Sequence, residues 1–162
     1  MKKIISLIAC FVILTSCSSD SSDESSLTGS ITATIDGQNW SSNIAVAAVQ
    51  SVNFDEINGS VLQILGTASN SSSLAINIPL QNLSTGTYTF NGFDADGNLS
   101  YNTMDDSYSS DETDGTFTLT ISSYNIANGT ISGTFSGTLI GFDTPTEISV
   151  TNGTFNNITV IS

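Results

Sequence analysis

The sequence predicts an all-β protein, a single antiparallel β-sandwich or strongly curled, barrel-like sheet of about nine or ten strands. Three observations carry that expectation. Apolar residues recur at every second position in one segment after another, with Thr, Ser and Asn between them, which is the pattern of strands with one wet face. Gly, Asn and Asp interrupt these segments at intervals of about 8 to 12 residues. No segment of the domain carries a convincing helical apolar stripe.

Taken in order, Ile31, Ala33 and Ile35 alternate with threonines, and Asp36-Gly37 turns the chain toward Trp40. Ile44 to Val52 and Val61 to Thr67 are apolar on successive residues, which predicts strands covered on both faces. Leu74, Ile76, Ile78 and Leu80 restore the alternation, and Tyr88 with Phe90 follows a break at Gly86. Phe117, Leu119 and Ile121 alternate with Thr116, Thr118 and Thr120. From Gly129 to Gly141 every second inward position is glycine, so that strand is expected to curl or to admit a large neighbouring side chain against its backbone. Ile148 and Val150 lead to Asn152-Gly153, which reads as a tight turn, and Phe155, Ile158 and Val160 close the chain.

Three parts are expected. Lys2 and Lys3 precede an apolar or small run from Ile4 to Leu14, then Thr15, Ser16 and Cys17, the layout of a lipoprotein signal peptide cut before Cys17. The run is too short to cross a bilayer as a helix, which takes roughly 20 residues. Residues 1–16 are therefore expected to be removed, Cys17 to carry lipid, residues 17–28 to form a Ser/Asp-rich flexible tether, and residues 29–162 to fold. Cys10 lies in the removed run, so no disulfide is expected.

Removing residues 1–16 also removes Lys2 and Lys3, the only basic residues of the chain, and leaves 15 carboxylates with no Lys, Arg or His. Internal salt bridges are then impossible and the surrounding field is negative. Nucleic acid is excluded as a partner, because phosphate binding depends on Lys and Arg displacing counterions. The deficit also leaves membrane contact to the lipid alone. Serine nucleophiles lack a partner base, and no free thiol, histidine or lysine remains, so the chain is expected not to be an enzyme.

Candidate ligand sites are two. Asp94, Asp96 and Asn98 stand at the first, third and fifth positions of a calcium loop, with Asp105 at the twelfth, since alternate oxygen donors suit a hard cation. The match breaks at Leu99, where that loop needs glycine, and the competing reading is a solvated hairpin loop without metal. The cofactor expectation is accordingly none, with Ca²⁺ as the alternative. Trp40, together with Tyr88, Tyr101, Tyr108 and Tyr124, offers a stacking platform for sugars, against the reading of Trp40 as a plug at the end of the core. The Thr and Ser face from Thr130 to Thr138 offers a hydroxyl array, which wet strands also present for ordinary reasons.

Asp36-Gly37-x-x-Trp40, Gly86-Thr87-Tyr88, Gly115-Thr116-Phe117, Ser132-Gly133-Thr134-Phe135 and Thr151-Asn152-Gly153-Thr154-Phe155 follow one another in that order behind the Cys17 junction. In that order they resemble the small Bacteroidota lipoproteins classed as a domain of unknown function. The resemblance implies an all-β envelope lipoprotein and supplies no catalytic or binding residues. Ser18, Asp20, Asp23 and Glu24 also resemble the Ser and acid signals that send such lipoproteins to the cell surface. The expectation is an outer-membrane lipoprotein, exposed at the cell surface, acting as a non-catalytic binding or structural module toward a polysaccharide or an envelope protein. The alternative is a calcium-stabilised adhesion or glycan-binding domain.

Overall fold

The computed structural model describes residues 29–54, 57–81, 83–92, 96–125, 129–143 and 145–161, which form eleven strands of one mixed sheet and no α-helix. The signal peptide, Cys17 and the tether lie outside the described residues. The strands are β1 (Ser30–Ile35), β2 (Gln38–Ser41), β3 (Ile44–Phe54), β4 (Ile57–Thr67), β5 (Ser73–Pro79), β6 (Gly86–Asn91), β7 (Asn98–Asn102), β8 (Ser107–Ser109), β9 (Thr116–Asn125), β10 (Thr130–Gly141) and β11 (Glu147–Ile161). Their order is β2-β1-β11-β3-β4-β5-β7-β8-β10-β9-β6, and a further pairing joins β10 to β11. Seven strands therefore make a closed circuit of pairings, β11-β3-β4-β5-β7-β8-β10, with β1 and β2 branching from β11, and β9 and β6 from β10.

The two-residue turn Asp36-Gly37 has φ of 46° and 77°, the left-handed pair that a tight hairpin requires, and it joins β1 to β2 as the sequence predicts. After β2 the chain does not reverse. The Ser42 N–H still bonds the Ile31 carbonyl of β1, whereas the next N–H, of Asn43, already bonds Thr67 of β4. Because β2 runs antiparallel to β1 and β1 antiparallel to β11, β3 continues in the direction of β11 and pairs with it in parallel, through Val160 to Ala47 and Ile161 to Ala48. This corrects the expectation of a purely antiparallel sheet. Neither Ser42 nor Asn43 takes the left-handed φ that a two-residue hairpin turn requires, so the chain runs on instead of turning back.

Asn152-Gly153 is a second correction. The predicted tight turn is a bulge inside the 15-residue strand β11, so the two expected C-terminal strands are one. Asn152 takes φ of 52°, and the register slips there against both β1 and β10. A second bulge at Asn157, φ 50°, slips the register against β10 again. Asn tolerates the left-handed region, and each extra residue bends the strand and increases its twist.

The core is one cluster filled from the inner face of the sheet, including Ile31, Leu62, Ile64, Leu74, Ile76, Leu99, Phe117, Leu119, Ile131 and Phe155. In β10, Ile131, Gly133, Phe135 and Leu139 are buried on that face while Thr134 and Ser136 are exposed on the other, as the alternation predicts. The glycines admit aromatic rings. A Cβ on Gly133 would lie 2.5 Å from the Phe155 ring and 2.2 Å from the Thr120 carbonyl oxygen, and one on Gly153 would lie 2.5 Å from the Phe135 ring. The two rings stack with centroids 6.4 Å apart, each over the glycine of the other strand.

Candidate functional site

The outer surface of the sheet divides into two regions of different chemistry. Across β2, β1, β11, β10, β9 and β6 the register aligns Ser41, Thr32, Thr154, Thr134, Thr120 and Thr87 in one row of hydroxyls. Within it the hydroxyls of Thr32 and Thr154 lie 3.0 Å apart, and those of Thr87 and Thr120 2.9 Å apart. The hydroxyl face read from Thr130 to Thr138 is thus one column of a wider array.

The outer face of β3, β4, β5 and β7 is different. Val46, Leu65 and Ala75 stand opposite one another, and Ala48, Gln63, Asn77 and Asn98 form the next row. Ile44 is 60% exposed and Ile161, opposite Ala48, is 49% exposed. The sequence predicts cover on both faces of these strands. In the structure Ala45, Ala47, Leu62 and Ile64 enter the core, while Val46, Ala48, Val61 and Leu65 remain half-buried on the outside, outside the core cluster. Successive apolar residues report two apolar faces, and no described element packs over the second.

A ladder of side-chain amides crosses this face. The Gln50 amide donates to Gln63 Oε1, Gln63 to Asn77 Oδ1 and Asn77 to Asn98 Oδ1, each at 2.9 Å. Asn98 donates in turn to the Ser109 hydroxyl at 3.5 Å and the Asp111 carboxylate at 3.4 Å, and Ser109 donates to the same carboxylate. A carboxylate only accepts, so Asp111 obliges Asn98 to present its NH₂ and fixes the direction of every bond behind it. The ladder is built of amides, without a nucleophile or an aromatic ring, so no catalytic or stacking motif in the sequence reveals it. The available signal is the placing of Gln63, Asn77 and Asn98 at strand positions that alternation assigns to the outer face.

A cleft of about 290 Å³ opens beside β6, lined by Ile78, Pro79, Gln81, Leu83, Tyr88, Phe90 and Asp96. Its aromatic members are held by the fold. The Tyr88 hydroxyl donates to the Ser84 carbonyl at 2.8 Å and accepts from the Ser84 N–H at 3.0 Å, closing the turn before β6, and Phe90 stacks on Phe117 at 5.3 Å. Gly97 leaves room for the Phe90 ring, which would lie 2.9 Å from a Cβ there.

The predicted site residues are dispersed. Asp94 lies outside the described residues, and Asp96 is exposed at the cleft. Asn98 opens β7, whereas Asp105 lies in the turn beyond its far end, where the Asp105 and Asp106 N–H groups bond Thr103 Oγ1. An extended strand from Asn98 to Asn102 spans about 14 Å, so Asn98 and Asp105 do not share an ion. Among the described residues no three His, Cys, Asp or Glu side chains gather as a metal site.

Trp40 is 7% exposed in the core, and its indole N–H donates to the buried Ser72 hydroxyl at 2.8 Å, which in turn donates to Asn70 Oδ1 at 2.6 Å. A shallow depression of about 380 Å³, lined by Thr32, Thr34, Asn39 and Asn152, adjoins it. Tyr88, Tyr101, Tyr108 and Tyr124 pack at the margin of the core on four other strands, Tyr101 stacked on Tyr108 at 6.4 Å, and they form no common platform with Trp40.

The family model described as Domain of unknown function (DUF6252) matches residues 27–159. The chain belongs to this family. The match begins near the end of the Ser and acid run and spans all but the last two residues of β11, so the DUF6252 domain and the eleven-stranded sheet are one unit. No curated protein and no solved structure matches the chain.

Proposed function

We propose that this chain is a lipid-anchored, non-catalytic binding module of the bacterial outer envelope, held through an acylated Cys17 and displayed at the cell surface of a member of the Bacteroidota. The observation that carries the reading is the outer face of β3, β4, β5 and β7, where the exposed Ile44 and the half-buried Val46, Val61 and Leu65 border a continuous amide ladder. An apolar surface rimmed by polar groups marks an interaction site rather than a reactive one. The absence of any basic residue after Lys3 supports partners other than nucleic acid and leaves the membrane to the acyl chains. The same reading takes the sheet as curled on itself into a flattened barrel, supported by the seven-strand circuit of pairings and by the bulges in β11.

The anchor is tested by expressing the full chain with a clickable fatty acid. The wild type is expected to carry the label in the outer membrane and to be removed by protease added to intact cells. Cys17→Ser is expected to lose the label and to retain residues 1–16. An unacylated wild-type chain that begins at Met1 in the cytosol overturns the proposal.

A further inference from the structure

We infer that the amide ladder is a binding site for a neutral polysaccharide strand, lying across β4, β5 and β7 with its sugar hydroxyls on Gln63, Asn77 and Asn98. The inference rests on the binding-module reading above and assigns it a site and a ligand class.

Each ladder amide has two N–H donors and two acceptor lone pairs. Gln63 accepts one bond from Gln50 and donates one to Asn77, and Asn77 accepts from Gln63 and donates to Asn98. One donor and one acceptor remain on Gln63 and on Asn77, and one acceptor on Asn98, whose two N–H groups go to Ser109 and Asp111; all are held in fixed orientation because the chain of bonds ends on Asp111. Adjacent strands lie about 4.8 Å apart, so the amides repeat at a spacing close to one sugar residue of an extended polysaccharide. Leu65 stands beside the ladder on one side and Val61 on the other, giving the C–H faces of sugar rings an apolar bed. Pairs of donor and acceptor flanked by aliphatic surface match a pyranose, which offers hydroxyls at its rim and C–H groups on its faces.

Charge and size choose this occupant over others. With no Lys or Arg in the domain and 15 carboxylates in the chain, a polyanionic glycan is repelled. Among the described residues Asp111, at one end of the ladder, is the only carboxylate bonded to it, and no three carboxylates gather along the strip to select a cation. Four strands across and seven residues along, from Ile44 to Gln50, the face measures about 400 Å². A stable dimer or protein complex buries about 800 Å² on each partner, so the face suits a narrow, extended ligand better than a folded one.

The test titrates the acylated mature protein, in detergent micelles, with neutral hexasaccharides (cello-, manno-, xylo-, malto- and laminarihexaose) and with an oligogalacturonate as polyanion, followed by calorimetry. At least one neutral hexasaccharide is expected to bind and the oligogalacturonate not to bind. Gln63→Glu, which keeps the side-chain shape but removes the donor, and Asn77→Ala are each expected to weaken binding at least tenfold with unchanged circular dichroism. Thr134→Ala on the opposite hydroxyl face is expected to leave it unchanged. Glycan binding that survives both ladder variants overturns the site while leaving the binding-module reading in place. No binding across the neutral panel overturns the ligand class, and the Cys17 labelling result stands apart from it. Concentration-dependent dimerisation abolished by Leu65→Asp shows a second copy on the face and also overturns the proposal.

Discussion

The two outer faces of one sheet have opposite chemistry, although the strands beneath them pack the same core. On β1, β11, β10, β9 and β6 the outward positions are mostly threonines and serines, the threonines satisfying water and β propensity together. On β3, β4 and β5 they are Ile44, Val46, Leu65 and Ala75 bordering amides that bond one another. The inner faces meet one requirement, exclusion of water, so they converge on the same residue types. The outer faces meet whatever lies outside, so a departure from Thr and Ser there is information about use. The proposed binding role rests on this face, which carries half-buried aliphatics with no described element over it.

This comparison breaks most visibly at its shared foundation. Phe155→Ala removes a fully buried ring that closes over Gly133 and is expected to cost about 4 kcal/mol in urea unfolding, weakening both regions together. Gly133→Ala places a methyl against the Thr120 carbonyl oxygen, backbone that cannot withdraw, and is expected to cost about 3 kcal/mol by the same measurement. Trp40→Phe leaves the buried Ser72 hydroxyl without its indole donor and is expected to cost about 2 kcal/mol. If it costs nothing, the bond does not anchor β2.

The outer faces themselves are expected to respond less, and unequally. Thr134→Val exchanges an exposed hydroxyl for a methyl and is expected to change stability by less than about 0.5 kcal/mol. Asp111→Asn supplies a donor where the ladder ends on an acceptor, releasing the fixed direction of the amides, and is expected to cost about 1 kcal/mol. Equal effects at the two positions would mean that the ladder is no more than another wet face. The smallest expected effect is that of ions. About 0.5 M NaCl is expected to raise the melting temperature slightly by screening like charges, and calcium at matched ionic strength to add nothing further.

Most of the fold was legible because period two is a local property. Ile31 to Ile35, Leu74 to Ile78, Phe117 to Ile121 and the glycine-spaced β10 could be placed inner face by inner face. Asn152-Gly153 misled because the residues that make a tight turn also make a bulge, and only the partners on both sides of β11 decide which one forms. β7 and β8 were hidden in an acidic segment, since Asn98, Ser100 and Ser109 have little β propensity of their own and are held by pairing with β5 and β10. The ladder was illegible for a related reason. Gln50, Gln63, Asn77 and Asn98 are far apart in the chain, and register alone brings them together.

The amino-acid sequence by itself determined the all-β class, the inner face of most strands, the acidity of the domain and the Asp36-Gly37 hairpin, because each follows from the nature and spacing of near neighbours. Only the tertiary structure decided that β3 runs parallel to β11, that the pairings close a circuit and that four distant amides join in one ladder. Those outcomes depend on strand order and register. Both are set by how the whole sheet buries its inner face at once, and no local segment carries that constraint.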